Sequence, residues 1–305
     1  MISASCVPLP AFRAPPSVLI LPTAAPARDF AGKALLPGFR MSFQAVPAGS
    51  ADPDPMLLTR RTLFQNTAAL ALLGALPFEF AFAGVRTSAA PWSQKALAKA
   101  RPIAEPLVQH PFVQGLASGK LPRETALSYL VQNLPYLINY AECFEILEKR
   151  LEDEADKALA RRWAKETHEA LAWTKTLCTD LAGGKVPYTE PVIPTTNVRG
   201  YMQLERTSAG DRSPAVAMAA LLPCFWVYMV FGQGIAKSIR HENNPYAEWV
   251  SFYGSKDYAA NVESAVALAD KLASRAGEAD RSRALEVFLQ GCRFEKALFD
   301  EAVAG

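Results

Sequence analysis

Cys224 and Tyr228 stand four residues apart in the segment Leu221-Leu222-Pro223-Cys224-Phe225-Trp226-Val227-Tyr228, so on a helix a thiol and a phenol face the same way. A thiol attacks only as its thiolate, which requires a nearby proton acceptor or a polar pocket; without one, the pair is ordinary core filling. Asn133, Tyr136 and Tyr140 fall at i, i+3 and i+7 and share a second helix face. Polar groups on an otherwise apolar face imply either a hydrogen-bond network between helices or a ligand pocket. Glu295 lies in Arg293-Phe294-Glu295-Lys296-Ala297-Leu298-Phe299. Outward, it is a surface carboxylate paired at helical spacing; inward, burial raises its pKa and suits it to general acid/base work.

The three histidines offer less. His110 precedes Pro111 at a helix start, His241 sits in a loop, and His168 follows Glu166 by two residues, which puts that pair on different faces. The absence of a Glu-x-x-His pair argues against a di-iron centre. Of five cysteines, Cys6 falls in the leader, leaving Cys143, Cys178, Cys224 and Cys292 in the remaining chain. They show no short-spaced framework, and free, mostly buried thiols are expected. With 32 Lys and Arg against 30 Asp and Glu, and no aromatic stripe interleaved with Arg, the chain carries no footprint for nucleic acid.

The elements that must position these side chains are helices. Past Trp92 the sequence predicts an amphipathic stretch over 93–108 and a short helix from His110 to Gly119. A long helix opens at Pro122 and continues, kinked, through Pro135. Another covers 154–181 and stops at Gly183-Gly184, before a loop bearing Pro187, Pro191 and Pro194. Further helices are expected at 195–208, 213–240, 245–253, 256–276 and 280–303, punctuated by Gly210, Asn243-Asn244-Pro245, Gly254 and Gly277. No stretch alternates long enough for a strand, so the class is all-α.

The opening is different. Pro8, Pro10, Pro15, Pro16, Pro22 and Pro26 interrupt any regular element, and residues 1–55 read as an unfolded or untranslated leader. Residues 56–83 then place Thr59-Arg60-Arg61, the apolar run Ala68 to Leu76 and Ala81-Phe82-Ala83 in the order of a secretory signal. The adjacent arginines point to the twin-arginine route, with cleavage after Ala83 and a domain over 84–305. The apolar run falls short of the about 20 residues that span a bilayer, so no stable membrane span is expected after cleavage. A retained anchor or an ordinary buried helix are the other readings of this run.

Three motifs in order carry a family resemblance: His110-Pro111-Phe112-Val113-Gln114-Gly115 with Leu121-Pro122, the Leu221–Tyr228 helix, and Trp249-Val250-Ser251-Phe252-Tyr253-Gly254. Together they make residues 92 to 302 resemble the TenA/thiaminase II proteins. The resemblance implies a haem-oxygenase-like helical bundle, usually a homotetramer, that hydrolyses an aminopyrimidine in thiamin salvage without a metal or organic cofactor. It further implies that Cys224 adds to the pyrimidine ring and Glu295 moves protons on a ring nitrogen. Tyr136, Tyr228 and Tyr253 would stack on or hydrogen-bond the ring. One position departs: Asn133 stands where the family usually has an aspartate that grips the aminopyrimidine edge. An amide accepts a hydrogen bond but is no general base, which opens an alternative: a pyrimidine- or thiamin-binding protein without turnover.

Overall fold

The computed structural model describes residues 90–304, and the expected leader and signal segments, 1–55 and 56–83, lie outside the described residues. Among the described residues there are nine α-helices and no strand. They are α1 (Trp92–Ala104), α2 (Pro111–Ser118), α3 (Arg123–Glu148), α4 (Glu154–Leu181), α5 (Thr196–Ala209), α6 (Pro214–Ile235), α7 (Ala247–Tyr253), α8 (Lys256–Arg275) and α9 (Glu278–Ala304). A 3-10 turn, Glu105–Gln109, joins α1 to α2.

Local chemistry accounts for most of the boundaries. Asp153 caps α4 by accepting from the backbone N–H groups of Ala155 and Asp156, and Thr195 and Ser255 cap α5 and α8 in the same way. His110 is structural, as its position before Pro111 suggests: its Nδ1 accepts from Phe112 N–H at 3.2 Å and caps α2. Gly119 ends α2 in the left-handed region at φ 72°, where a side chain would be strained. The helix α3 runs unbroken through Pro135, whose ring nitrogen cannot supply the Val131 carbonyl with its helical donor.

Two boundaries differ from expectation. The 93–108 stretch is not one helix: α1 gives way to the 3-10 turn at Glu105 because Pro106 has no N–H to continue an α-helical ladder. The helix expected to reach 240 ends at Ile235. There Arg240 N–H bonds the Ala117 carbonyl at 2.9 Å, and the Asn244 amide donates to Leu116 and Ala117, so the carbonyls at the end of α2 hold this chain.

The centre of the domain is α6, buried on nearly every side between α5, α8 and α9. Its apolar run is long enough to cross a membrane by length and composition, but it forms the core here. The α3–α4 hairpin closes one side, with Phe144 of α3, Trp163 of α4 and Phe225 of α6 in mutual ring contact at 5.4–6.0 Å. Cys143, Cys178 and Cys292 are free and buried, in line with the reading of the sequence.

Candidate active site

Close helix approach brings the chemistry together. Gly291 of α9 lies against Pro223 of α6, so close that a Cβ at position 291 would stand 2.5 Å from the proline Cγ. Cys224 follows this proline, and Glu295 stands one helical turn beyond Gly291 on the same face of α9. The contact therefore sets the thiol and the carboxyl into one interior. A second close approach, Gly232 against the Tyr253 backbone, seats α7 on α6 and delivers Tyr253 to the same space, with its ring 4.8 Å from that of Tyr228.

Glu295 is turned inward and only 1% exposed. Tyr201 Oη donates to its Oε1 at 2.9 Å, and Tyr228 is a second phenolic partner. Burial pushes its pKa up to about 8, against the pull of the two phenols, so the carboxyl is protonated at neutral pH. Tyr228 also pairs with Tyr129 through their hydroxyls.

Cys224 keeps partial exposure, unlike the other three described cysteines. Tyr136 and Tyr140 of α3 lie beside its sulfur, while their hydroxyls donate to Glu205 Oε1 and to the Leu221 carbonyl. The thiol pKa is raised well above the ordinary value, first by burial and then by the Glu295 charge. The turn carrying Cys224 is held from two sides. Tyr140 Oη donates to the Leu221 carbonyl at 2.8 Å, while Tyr258 Oη reaches the carbonyls of Cys224 and Phe225 at 3.2 Å.

Of the residues singled out in the sequence, Cys224, Glu295, Tyr136, Tyr228 and Tyr253 converge in this interior. Asn133 stands at the edge of this interior: it is a hydrogen-bond partner of Tyr129, whose hydroxyl pairs with Tyr228, and with Tyr129, Gln132, Tyr136 and Thr195 it lines a small cleft open to solvent. Tyr136 belongs to both spaces. The face shared by Asn133, Tyr136 and Tyr140 thus carries both a cleft wall and a hydrogen-bond network.

Sequence reasoning missed Tyr201, Asn139 and, above all, Glu205. Glu205 is fully buried on α5, with Oε1 accepting from Tyr136 Oη and Oε2 from the Asn139 amide, each at 2.9 Å. Burial, followed by the Glu295 charge, raises its pKa well above the ordinary carboxylate value. A signal existed: Val198, Tyr201, Glu205 and Ser208 recur at spacings of three and four and form the buried face of α5. Among the described residues, no three His, Cys, Asp or Glu side chains gather as a metal-binding group.

The described residues adopt the haem-oxygenase-like helical fold. The TENA/THI-4/PQQC family model matches residues 97–304, and the chain belongs to this family. One solved relative is the TenA homologue from Pyrococcus horikoshii OT3, 23% identical with a TM-score of 0.61, covering 70% of this chain and 98% of that one. In sequence, the chain is similar to the thiamine biosynthesis multifunctional protein ThiED of Corynebacterium efficiens, 28% identical over 63% of this chain. The match spans only 25% of that longer relative. The aminopyrimidine aminohydrolase of Helicobacter pylori is 24% identical over 69% of this chain and 97% of its own length.

Proposed function

We propose that the protein hydrolyses an aminopyrimidine or a thiamin-degradation product, with Cys224 as nucleophile and Glu295 as acid/base. The observation that carries this reading is the convergence of Cys224 and Glu295 within a phenol-lined interior, with Glu295 held protonated near neutrality. A protonated carboxyl donates to a ring nitrogen as sulfur adds to the ring carbon, which keeps negative charge from building on the heterocycle. Water then replaces the leaving amine, and the C–S bond breaks as the carboxylate takes the proton back. Tyr136, Tyr228 and Tyr253 supply the flat aromatic and hydroxyl surface against which such a ring packs. Names among the relatives support the substrate class, since one of them is an aminopyrimidine aminohydrolase. The proposal extends to export through the Thr59-Arg60-Arg61 signal, with cleavage after Ala83, and to a homotetramer.

The test is incubation of the full chain, wild type beside Cys224→Ser, with an aminomethyl-pyrimidine and with thiamin, following product by chromatography and binding by calorimetry. Product from the wild type alone supports the hydrolase. Asn133 favours a second reading, a pyrimidine-binding protein without turnover, because an amide at the cleft cannot act as a base. Tight binding by both proteins without product selects that one.

A further inference from the structure

The hydrolase reading leaves one step without an acceptor. Cys224 must lose its proton before sulfur can attack, and the asparagine at position 133 cannot take it. Within electrostatic range of Cys224 lie Tyr136 and Tyr140 from α3, Tyr201 and Glu205 from α5, Tyr228 from α6, Tyr253 from α7, Tyr258 from α8 and Glu295 from α9. Burial holds every one of these phenols above its ordinary pKa, so each stays neutral through the physiological range. Only the two carboxyl groups can accept a proton there.

Geometry divides the carboxyls. Glu295 is hydrogen-bonded by Tyr201 and Tyr228, and in the proposed reaction its proton is committed to the substrate ring. Glu205 accepts from Tyr136, the same phenol that reaches the Cys224 sulfur. The line continues on its far side: Asn139 donates to Glu205, and Arg206 Nε donates to the Asn139 carbonyl oxygen at 3.1 Å. That contact fixes the Asn139 amide with its NH2 toward Glu205, an orientation suited to a carboxylate.

We propose that Glu205 is a positioning residue for Cys224 that acts through Tyr136: by taking the Tyr136 O–H hydrogen bond it leaves an oxygen lone pair free for the thiol S–H, and it is the terminal acceptor of the thiol proton. The inference rests on Cys224 being the attacking group. In the transfer, the S–H proton passes to Tyr136 Oη while the phenolic proton passes to Glu205 Oε1. This leaves a thiolate, a neutral phenol and a protonated carboxyl, with the negative charge moved from Glu205 to sulfur. Both Glu205 oxygens accept hydrogen bonds, from the Tyr136 hydroxyl and the Asn139 amide, the pattern of an ionised carboxyl able to take a proton.

This scheme has a kinetic signature that needs no substrate. A thiol that titrates alone is alkylated about ten times faster for each pH unit below its pKa, since only the thiolate reacts. A thiol sharing its proton with a carboxylate instead shows an interval of constant rate, because the proton-transferred fraction no longer depends on pH once the carboxyl is ionised. The experiment is alkylation of the full chain by iodoacetamide from pH 5.5 to 9.5, with Cys224 labelling read at its peptide by mass spectrometry. Wild type, Glu205→Gln and Tyr136→Phe are compared. The wild type is expected to show the constant interval, and both variants to lose it and label Cys224 at least tenfold more slowly at its low-pH end. A wild-type profile with tenfold steps throughout, or an unchanged profile in Glu205→Gln, overturns the proposal. Persistence of the interval in Tyr136→Phe overturns the route through Tyr136 even if Glu205→Gln fails to fold. Failure of the hydrolase reading is told apart from these outcomes, because labelling reports the thiol whether or not any pyrimidine is turned over.

Discussion

Glu295 and Glu205 enter one interior from α9 and α5, 1% and 0% exposed, and both have pKa values raised by burial. Their surroundings differ. Glu295 is held by phenols, Tyr201 and Tyr228, and Tyr129 behind Tyr228 leads on to Asn133 at the cleft. Glu205 has one phenol and one amide, and the amide leads through Arg206 to the half-exposed ion pair with Glu142. Burial by itself therefore does not decide what a carboxyl can do: one is arranged to keep its proton until a ligand takes it, the other to pass charge along a line of partners.

The largest effect should come from the Glu295 side. Glu295→Gln preserves shape and hydrogen bonding but removes the transferable proton, and is expected to lower kcat on an aminopyrimidine by about 10²–10⁴-fold with little change in binding. Steady-state kinetics with calorimetry check this. A loss below tenfold would erase the distinction between the two carboxyls.

The same group dictates a pH dependence of stability. In the unfolded chain Glu295 titrates near the ordinary glutamate value of 4.5, whereas in the fold it titrates at about 8. Between those values the folded state holds the extra proton, so stability is fully present below pH 4.5 and is lost as pH rises through about 8. The slope from one proton approaches about 1.4 kcal/mol per pH unit, and Glu205, shifted in the same direction, adds to it with the same sign. Urea unfolding from pH 5 to 9 should show the wild type weakening with pH and Glu295→Gln weakening less steeply.

A structural change should disturb both sides at once. Gly291→Ala places a methyl 2.5 Å from Pro223 Cγ, where the proline ring has little room to yield. Overpacking of this kind costs about 1–3 kcal/mol. Because the contact brings together the helices that carry Glu295 and Cys224, turnover should fall along with the unfolding midpoint. Unchanged turnover at reduced stability would mean that the approach of α9 to α6 supports the fold but not the alignment of the site.

How much of this was legible in the sequence depended on where each residue's partners lie. The end of α4 followed from Gly183 and Gly184, adjacent in the chain to the end they set. The end of α6 at Ile235 was not readable, because it answers to the Ala117 carbonyl of a distant helix. The site divides the same way. Cys224 and Tyr228 show their common face by spacing alone, and Glu295 stands in an apolar context that hinted at burial. Glu205 sits in Gln203-Leu204-Glu205-Arg206, a run with the look of a solvated surface, and its partners Tyr136 and Asn139 belong to α3, more than sixty residues away in sequence.

The smallest predicted effect locates the outer end of the Glu205 line. Glu142 pairs with Arg206 at a half-exposed position, where water screens the attraction and two long side chains lose freedom to hold it. Glu142→Gln should therefore change stability by less than about 0.5 kcal/mol. Arg206 keeps its own contact with Asn139 in that variant, so the amide still presents its NH2 to Glu205 and the pH profile of Cys224 labelling should be unchanged. If labelling shifts in Glu142→Gln while Glu295 titrates as before, the polar line extends one residue further than Arg206, and the contrast between the two carboxyls becomes sharper still.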